Sequence, residues 1–283
     1  MSLAERDILG WAMGLLGILI LVLISSLPAG AQMGHRLLVV GSGDSEYLMV
    51  ALGLEFQKIH PDVVVVVPPS VHTGGGIKAV VEGKADLARI SRPLLPHERV
   101  KGIRYCFFAK SPVVFVVHPT VKGVENITRK ELVGIYQGRI RNWKVLGGPD
   151  HKIYVVQREP GDSCRTVLEK DFPELAKVPE GVAYTAFSTP EALTVIEAHG
   201  YTIGYLPMAM ARAGNVKVLA LNGVKPTLEN VASGRYKYYV PLGVAYRDPL
   251  SPLARLFLKF LSSPRARRII EDFGSLPTGG CGR

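Results

Sequence analysis

Cysteine is scarce in this chain, three in 283 residues, and the three are far apart: Cys106, Cys164 and Cys281. They are too few and too scattered for a cysteine-rich zinc site, and an odd number allows at most one disulfide within the chain. Histidine stops at His199, and no His/Glu pair stands at metal-ligand spacing. No lysine/arginine run with interleaved aromatics is present, which removes the usual pattern of nucleic-acid contact. Repeats and low-complexity segments are also missing. With 47% apolar and 20% charged residues the chain is an ordinary globular one, long enough for one large or two medium domains.

Charge is nearly absent between Ile8 and Leu27, and Ala29-Gly30-Ala31 follows as a small-x-small cleavage pattern. Residues 1–31 therefore read as a secretory signal peptide, with an uncleaved N-terminal anchor as the alternative because the apolar core is long and its flank is not basic. Either way the folded part lies outside the cytoplasm. No cysteine follows the cleavage point to carry a lipid, which favours a free periplasmic protein. The whole chain carries +10; residues 1–31 hold Glu5, Arg6 and Asp7, a net −1, so the remainder carries +11. Such a surface suits an anionic ligand or is simply a soluble basic surface.

The order of elements is legible in the hydrophobic pattern. A strand at 37–40 leads to a helix over 46–60, with Leu48, Ala51, Leu52, Phe56 and Ile59 on one face. "VVVVV" at 63–67 is apolar without alternation, as in a parallel strand covered on both sides. "TGGGIKAVVEG" opens a second helix, and "ADLARIS" returns to the sheet. The pattern restarts after residue 118: Thr128 and Glu131 form a capping box, Gly138 stops that helix, and "KIYVVQREPGDSCRTVLEKDF" is strand, loop and helix. Strands at "YTIGYL", "VKVLAL" and "KYYVPLGVAY" precede two closing helices, Pro252 to Leu261 and Pro264 to Phe273. Alternating β and α elements predict an open α/β architecture, and such sheets bind ligands at the carboxyl ends of their strands.

Three strand ends carry Gly/Ser/Asp/Thr loops that open helices: Ser42–Ser45, Thr73–Gly76 and Gly161–Cys164. The first turn of a helix has N–H groups without partners and a partial positive charge, so it attracts anions, and glycine lets the backbone approach them. Helix capping accounts for each loop singly. Arg158, just before the third loop, could grip an oxyanion bidentately or be a surface arginine. The Gly-Asp-Ser at 43–45 also resembles a hydrolase nucleophile loop, but a nucleophilic serine needs a histidine base held by a carboxylate, and no histidine follows His199. Cys164 likewise lacks a neighbouring base. The reading is therefore non-catalytic, with no metal and no cofactor.

From about Leu37 to Pro277 the chain resembles the periplasmic phosphate-binding proteins of ABC transporters, within the wider class of bilobal solute-binding proteins. The segments that carry the resemblance are "GGGIKAVVEGKADLARISRPL", "ITRKELVGIYQGRIRNWKVLGG", "VVQREPGDSCRT", "TIGYLP", "GVKPTLENVASGRY" and "FLKFLSSPRARRIIEDFG". It implies a two-lobed α/β fold of the type II periplasmic-binding-protein kind, each lobe an open mixed sheet flanked by helices. Residues 34–115 plus 241–283 would form one lobe, 116–240 the other, and the ligand cleft would lie between them. It implies a monomer that delivers phosphate or a related small oxyanion to an ABC permease, with a sensor or a binder of another small polar solute as the alternative. The implied ligand residues are Gly43, Asp44, Ser45, Thr73, Gly74, Ser91, Arg92, Arg158, Asp162, Ser163 and Cys164. The chain departs from the family where Gly-Ser-Gly-Thr usually follows the arginine: here Gly161-Asp162-Ser163-Cys164 stands instead. Two carboxylates, Asp44 and Asp162, facing one dianion would repel it by several kcal/mol in a partly buried cleft. Either one turns away to cap its helix, or the ligand is not phosphate.

Overall fold

In the computed structural model, which describes residues 35–281, the predicted order of elements holds from the start. Strand β1 (His35–Gly41) is followed by α1 (Glu46–Ile59), β2 (Val63–Val66), α2 (His72–Val81) and β3 (Leu87–Ile90). Then come β4 (Ile103–Val117), β5 (Asn126–Ile127), α3 (Arg129–Tyr136), β6 (Tyr154–Arg158), α4 (Ser163–Glu169), β7 (Ala183–Ala186) and α5 (Thr189–Ala198). The chain continues through β8 (Thr202–Pro207), α6 (Met208–Ala211), β9 (Lys217–Val218), β10 (Ala220–Leu221), α7 (Leu228–Ala232) and β11 (Tyr239–Arg247). It ends with α8 (Pro252–Leu261), α9 (Pro264–Asp272) and β12 (Leu276–Pro277). The signal-peptide reading of 1–31 lies outside the described residues.

The strands run β2-β1-β3-β11-β4-β8-β6-β7, with β9 and β12 also on β4. Strand β4 joins the two halves. Residues Ile103 to Pro112 pair antiparallel with β11, and Val113 to Val117 pair antiparallel with β8. On one side β1 is parallel to β2 and β3; on the other β6 is parallel to β7 and β8. The result is a two-lobed α/β fold in which β1, β3 and β6 end towards the same region, carrying their loops with them.

Local chemistry explains the helix starts. Thr128 Oγ1 accepts from Glu131 N–H at 3.2 Å while Glu131 accepts from Thr128 N–H at 2.8 Å, the reciprocal bonds of a capping box. Ser251 and Ser263 cap α8 and α9, each followed by proline at the first helical position. The α8 stripe packs on α1, with Phe257 edge-on to Phe56 at 5.1 Å between ring centres. Trp143 is fully buried, and its indole N–H donates to the Tyr201 carbonyl at 2.8 Å.

Four expectations are corrected. Strand β2 is not covered on both sides: it lies at the sheet edge and Val64 is half exposed, so its apolar run marks an edge with one solvent-facing side. On α1 Met49 is buried and Ile59, the last residue of the helix, is exposed. The glycines Gly74 to Gly76 are not a loop before a helix but lie within the first turns of α2. A Cβ on Gly76 would stand 2.6 Å from the Gly41 backbone, so glycine there lets α2 lie directly on β1. Finally, the chain does not close on two helices: β12 follows, and Cys281 is bonded to Cys106 on β4, while Cys164 is a buried free thiol.

Candidate functional site

The ends of β1, β3 and β6 converge on a cavity of about 330 Å³. From the first half it is lined by the turn after β1 (Ser42, Gly43, Asp44), by Ser70, by the start of α2 (His72, Thr73, Gly74) and by Arg92. From the second half come Arg158 to Ser163 at the end of β6, and Thr189 at the start of α5.

The turn after β1 is a single 3₁₀ turn, Gly43–Ser45, whose Asp44 N–H donates to the Ser42 hydroxyl at 3.2 Å. Gly41 allows it: its φ is 125°, and a Cβ there would stand 2.3 Å from the Arg89 carbonyl. Beneath the turn lies Arg89, fully buried, donating to the Pro68 carbonyl at 2.8 Å and the Gly41 carbonyl at 3.4 Å. This guanidinium ties together the two loops that present Ser42–Asp44 and Ser70–Gly74. Burial pushes its pKa down to about 10, although Glu46 at 3.5 Å opposes that; burial likewise raises Glu46. On the second loop the Thr73 hydroxyl accepts from Ser91 N–H at 3.2 Å, and the Ser91 and Ser42 hydroxyls are bonded at 2.8 Å. His72 sits at φ 59°, in the left-handed region, with Nδ1 3.6 Å from Glu159 across the cavity.

Arg158 is the centre of the charge arrangement and is only 2% exposed. Its backbone N–H donates to the Tyr205 hydroxyl at 3.0 Å, and its carbonyl accepts from Arg165 Nη1 at 2.7 Å, so the strand end is held rigidly. The guanidinium meets Glu159 through Nε at 3.0 Å and Nη2 at 3.1 Å, and Asp162 through Nη1 at 3.0 Å. Nη1 also donates to Thr189 Oγ1 at 2.7 Å. Asp162 caps α4 through Oδ1, which accepts from Arg165 N–H at 2.9 Å. Asp44, from the other half, accepts from Thr189 Oγ1 at 2.7 Å and from the Ser163 hydroxyl. Burial pushes the Asp162 carboxyl up to about 7; Arg158 pulls it back down and Asp44 adds to the rise. Arg158 itself is raised above its ordinary value by Asp162, Asp44 and Glu159, which outweigh its burial.

Of the residues expected from the sequence, Gly43, Asp44, Thr73, Gly74, Arg92, Arg158, Asp162 and Ser163 line this cavity. Ser45, Ser91 and Cys164 do not. The Ser45 hydroxyl is fully buried without a hydrogen-bond partner, Ser91 stands behind Ser42 and Thr73, and the Cys164 thiol packs into the apolar core. Arg92 reaches the cavity wall with its guanidinium already on Glu98, at 2.6 and 2.7 Å. Neither carboxylate turns away cleanly: Asp162 caps its helix with one oxygen and meets Arg158 with the other. Sequence reading missed Ser70, Glu159 and Thr189. Glu159 adjoins Arg158 and could have been weighed; Thr189 had only the signature of a helix start. The arrangement offers the Arg158 guanidinium with Arg92 at the wall, hydroxyls and the first-turn N–H groups of α2, ringed by acceptors that suit a ligand carrying its own O–H groups.

The family model of the PBP superfamily domain matches residues 28–265. The phosphate-binding protein PstS of Bacillus subtilis (strain 168) is 29% identical over 247 residues, spanning 85% of this chain and 80% of that protein. Among solved structures, an ABC-type phosphate transport receptor from Vibrio cholerae superposes with a TM-score of 0.60 at 27% identity, covering 85% of this chain and 99% of that one. A putative phosphate ABC transporter substrate-binding protein with bound phosphate, from Clostridium perfringens, shares the fold with a TM-score of 0.73 at 24% identity, covering 86% of this chain and 100% of that one.

Proposed function

The chain belongs to the PBP superfamily, and from that premise we propose that it is an extracytoplasmic binding protein that captures phosphate for an ABC-type permease. The observation that carries this reading is Arg158: a guanidinium held at a strand end, 2% exposed, beside hydroxyls of both halves and the start of α2. The phosphate-binding relatives from Bacillus subtilis and Vibrio cholerae support phosphate over an unrelated polar solute.

The chemistry follows from the acceptors. Asp44, Glu159 and Asp162 can receive hydrogen bonds from a protonated phosphate but not from fully ionised sulfate. With Asp162 rising to about 7, one of the three is half neutral near neutral pH, which eases the repulsion of an anion. The same set of groups binds without reacting: the buried Ser45 hydroxyl has no base and does not reach the cavity.

The proposed lobes are 34–115 plus 241–283 and 116–240; the change of partner along β4 between Pro112 and Val113, close to the first of these boundaries, supports the division. Export is supported by the Cys106–Cys281 disulfide, a bond that persists in oxidising compartments. The protein acts as a monomer facing its permease. Titration calorimetry of the full chain with phosphate and with sulfate tests the reading: phosphate heats saturating at one site, with none for sulfate, are expected. Sulfate binding as tight as phosphate, or no phosphate binding, overturns it.

A further inference from the structure

We propose that the cleft takes a condensed phosphate, two or more phosphates joined by anhydride bonds, in preference to orthophosphate; this rests on the phosphate reading above and extends it to a second cavity. That cavity, of about 530 Å³, adjoins the first and shares Arg92, Gly161 and Ser163 with it. Together they give far more room than a single tetrahedral oxyanion fills.

The two cavities differ in charge. The first is lined by three carboxylates, Asp44, Glu159 and Asp162, against the guanidiniums of Arg158 and Arg92. The second is lined by Arg92, Lys170 and Lys237 against one carboxylate, Asp171, which is held by Lys237 at 2.5 Å. Lys170 forms no ion pair among the described residues. Arg92 stands in the shared wall, its guanidinium fixed by both oxygens of Glu98. An orthophosphate confined to the first cavity meets a surplus of acids. A linear phosphate with one end at Arg158 places its further anionic groups beside Lys170, the second cavity's cation without an acidic partner, with Lys237 and Arg92 held close by on Asp171 and Glu98, so added charge is favoured there rather than repelled.

The test is titration calorimetry of the full chain with orthophosphate, pyrophosphate, tripolyphosphate and glycerol phosphate at fixed pH and ionic strength. Pyrophosphate or tripolyphosphate should bind roughly tenfold or more tighter than orthophosphate, and more steeply weakened by salt. The double variant Lys170→Ala/Lys237→Ala should remove most of that gain and weaken orthophosphate far less; both lysines reach solvent, so the fold survives the change. Orthophosphate binding at least as tight as the condensed phosphates overturns this inference alone. Glycerol phosphate matching pyrophosphate overturns it too, since the second cavity would then hold an uncharged group, as does an equal loss for all ligands in the lysine variant. If no phosphate binds at all, the phosphate reading falls with it.

Discussion

Thr189 Oγ1 stands between Arg158 and Asp44, accepting from Arg158 Nη1 at 2.7 Å and donating to Asp44 Oδ1 at 2.7 Å. The hydroxyl thereby links a cation at the end of β6 to a carboxylate on the turn after β1, although Asp44 and Thr189 are 145 positions apart. Ser163 makes a second bond to the same carboxylate.

Replacing Thr189 with valine keeps the shape and removes the relay. Asp44 Oδ1 then loses its buried donor and Arg158 Nη1 one acceptor, an expected destabilisation of about 1–3 kcal/mol. Urea unfolding of the variant beside the wild type measures it, and calorimetry should show weaker phosphate binding. A stability change within 0.5 kcal/mol, roughly the scatter of surface substitutions, would show that the bond carries little.

Arg158→Lys keeps a positive charge but not the planar fork that meets Glu159 and Asp162 together. Phosphate affinity is expected to fall by roughly a hundredfold, as for loss of a buried charge-assisted contact. An affinity within threefold of wild type would remove Arg158 from the ligand shell.

The raised Asp162 carboxyl makes stability depend on pH with a definite sign. The folded protein keeps that proton up to about 7, whereas the unfolded chain releases it near 3.8. The stabilisation is therefore complete below about 3.8 and is lost as pH rises through about 7. Asp162→Asn, which still caps α4, should flatten this decline in urea unfolding between those limits. It should also raise phosphate affinity more at pH 8 than at pH 6, because only the ionised aspartate repels the anion. Parallel pH profiles for the two proteins would contradict both expectations.

Cys281→Ser, or reduction of the wild type, frees the C-terminal segment from β4. The bond spans 175 positions, and its loss should cost about 3–5 kcal/mol, read as a lower thermal midpoint. Cys164 is fully buried and should resist a thiol reagent until the protein unfolds. Rapid labelling of Cys164 in the folded state would disprove its place in the core.

Much of the architecture was readable because its causes are local. The Thr128/Glu131 box and the two closing helices, each opened by a serine followed by proline, are set by residues within a few positions of what they control. The strand-loop-helix units place Arg158 and the Gly/Ser/Asp turns at strand ends for the same reason. What sequence could not assign was the side of each turn that faces the cavity. Asp44 points in and Ser45 points down, though they are neighbours with equally polar side chains, because α1 begins there and buries the next position.

By itself, then, the sequence determined most of the order of elements, the Gly/Ser/Asp turns after β1 and β6 and the presence of an arginine at the end of β6. Those follow from backbone propensity and capping over three or four residues. Only the tertiary structure decided that Asp44 meets Thr189 and Ser163, that Arg89 ties two loops from beneath, and that Cys281 pairs with Cys106 rather than Cys164. Such contacts join segments tens to hundreds of residues apart, and packing brings them together without leaving a local pattern in either segment.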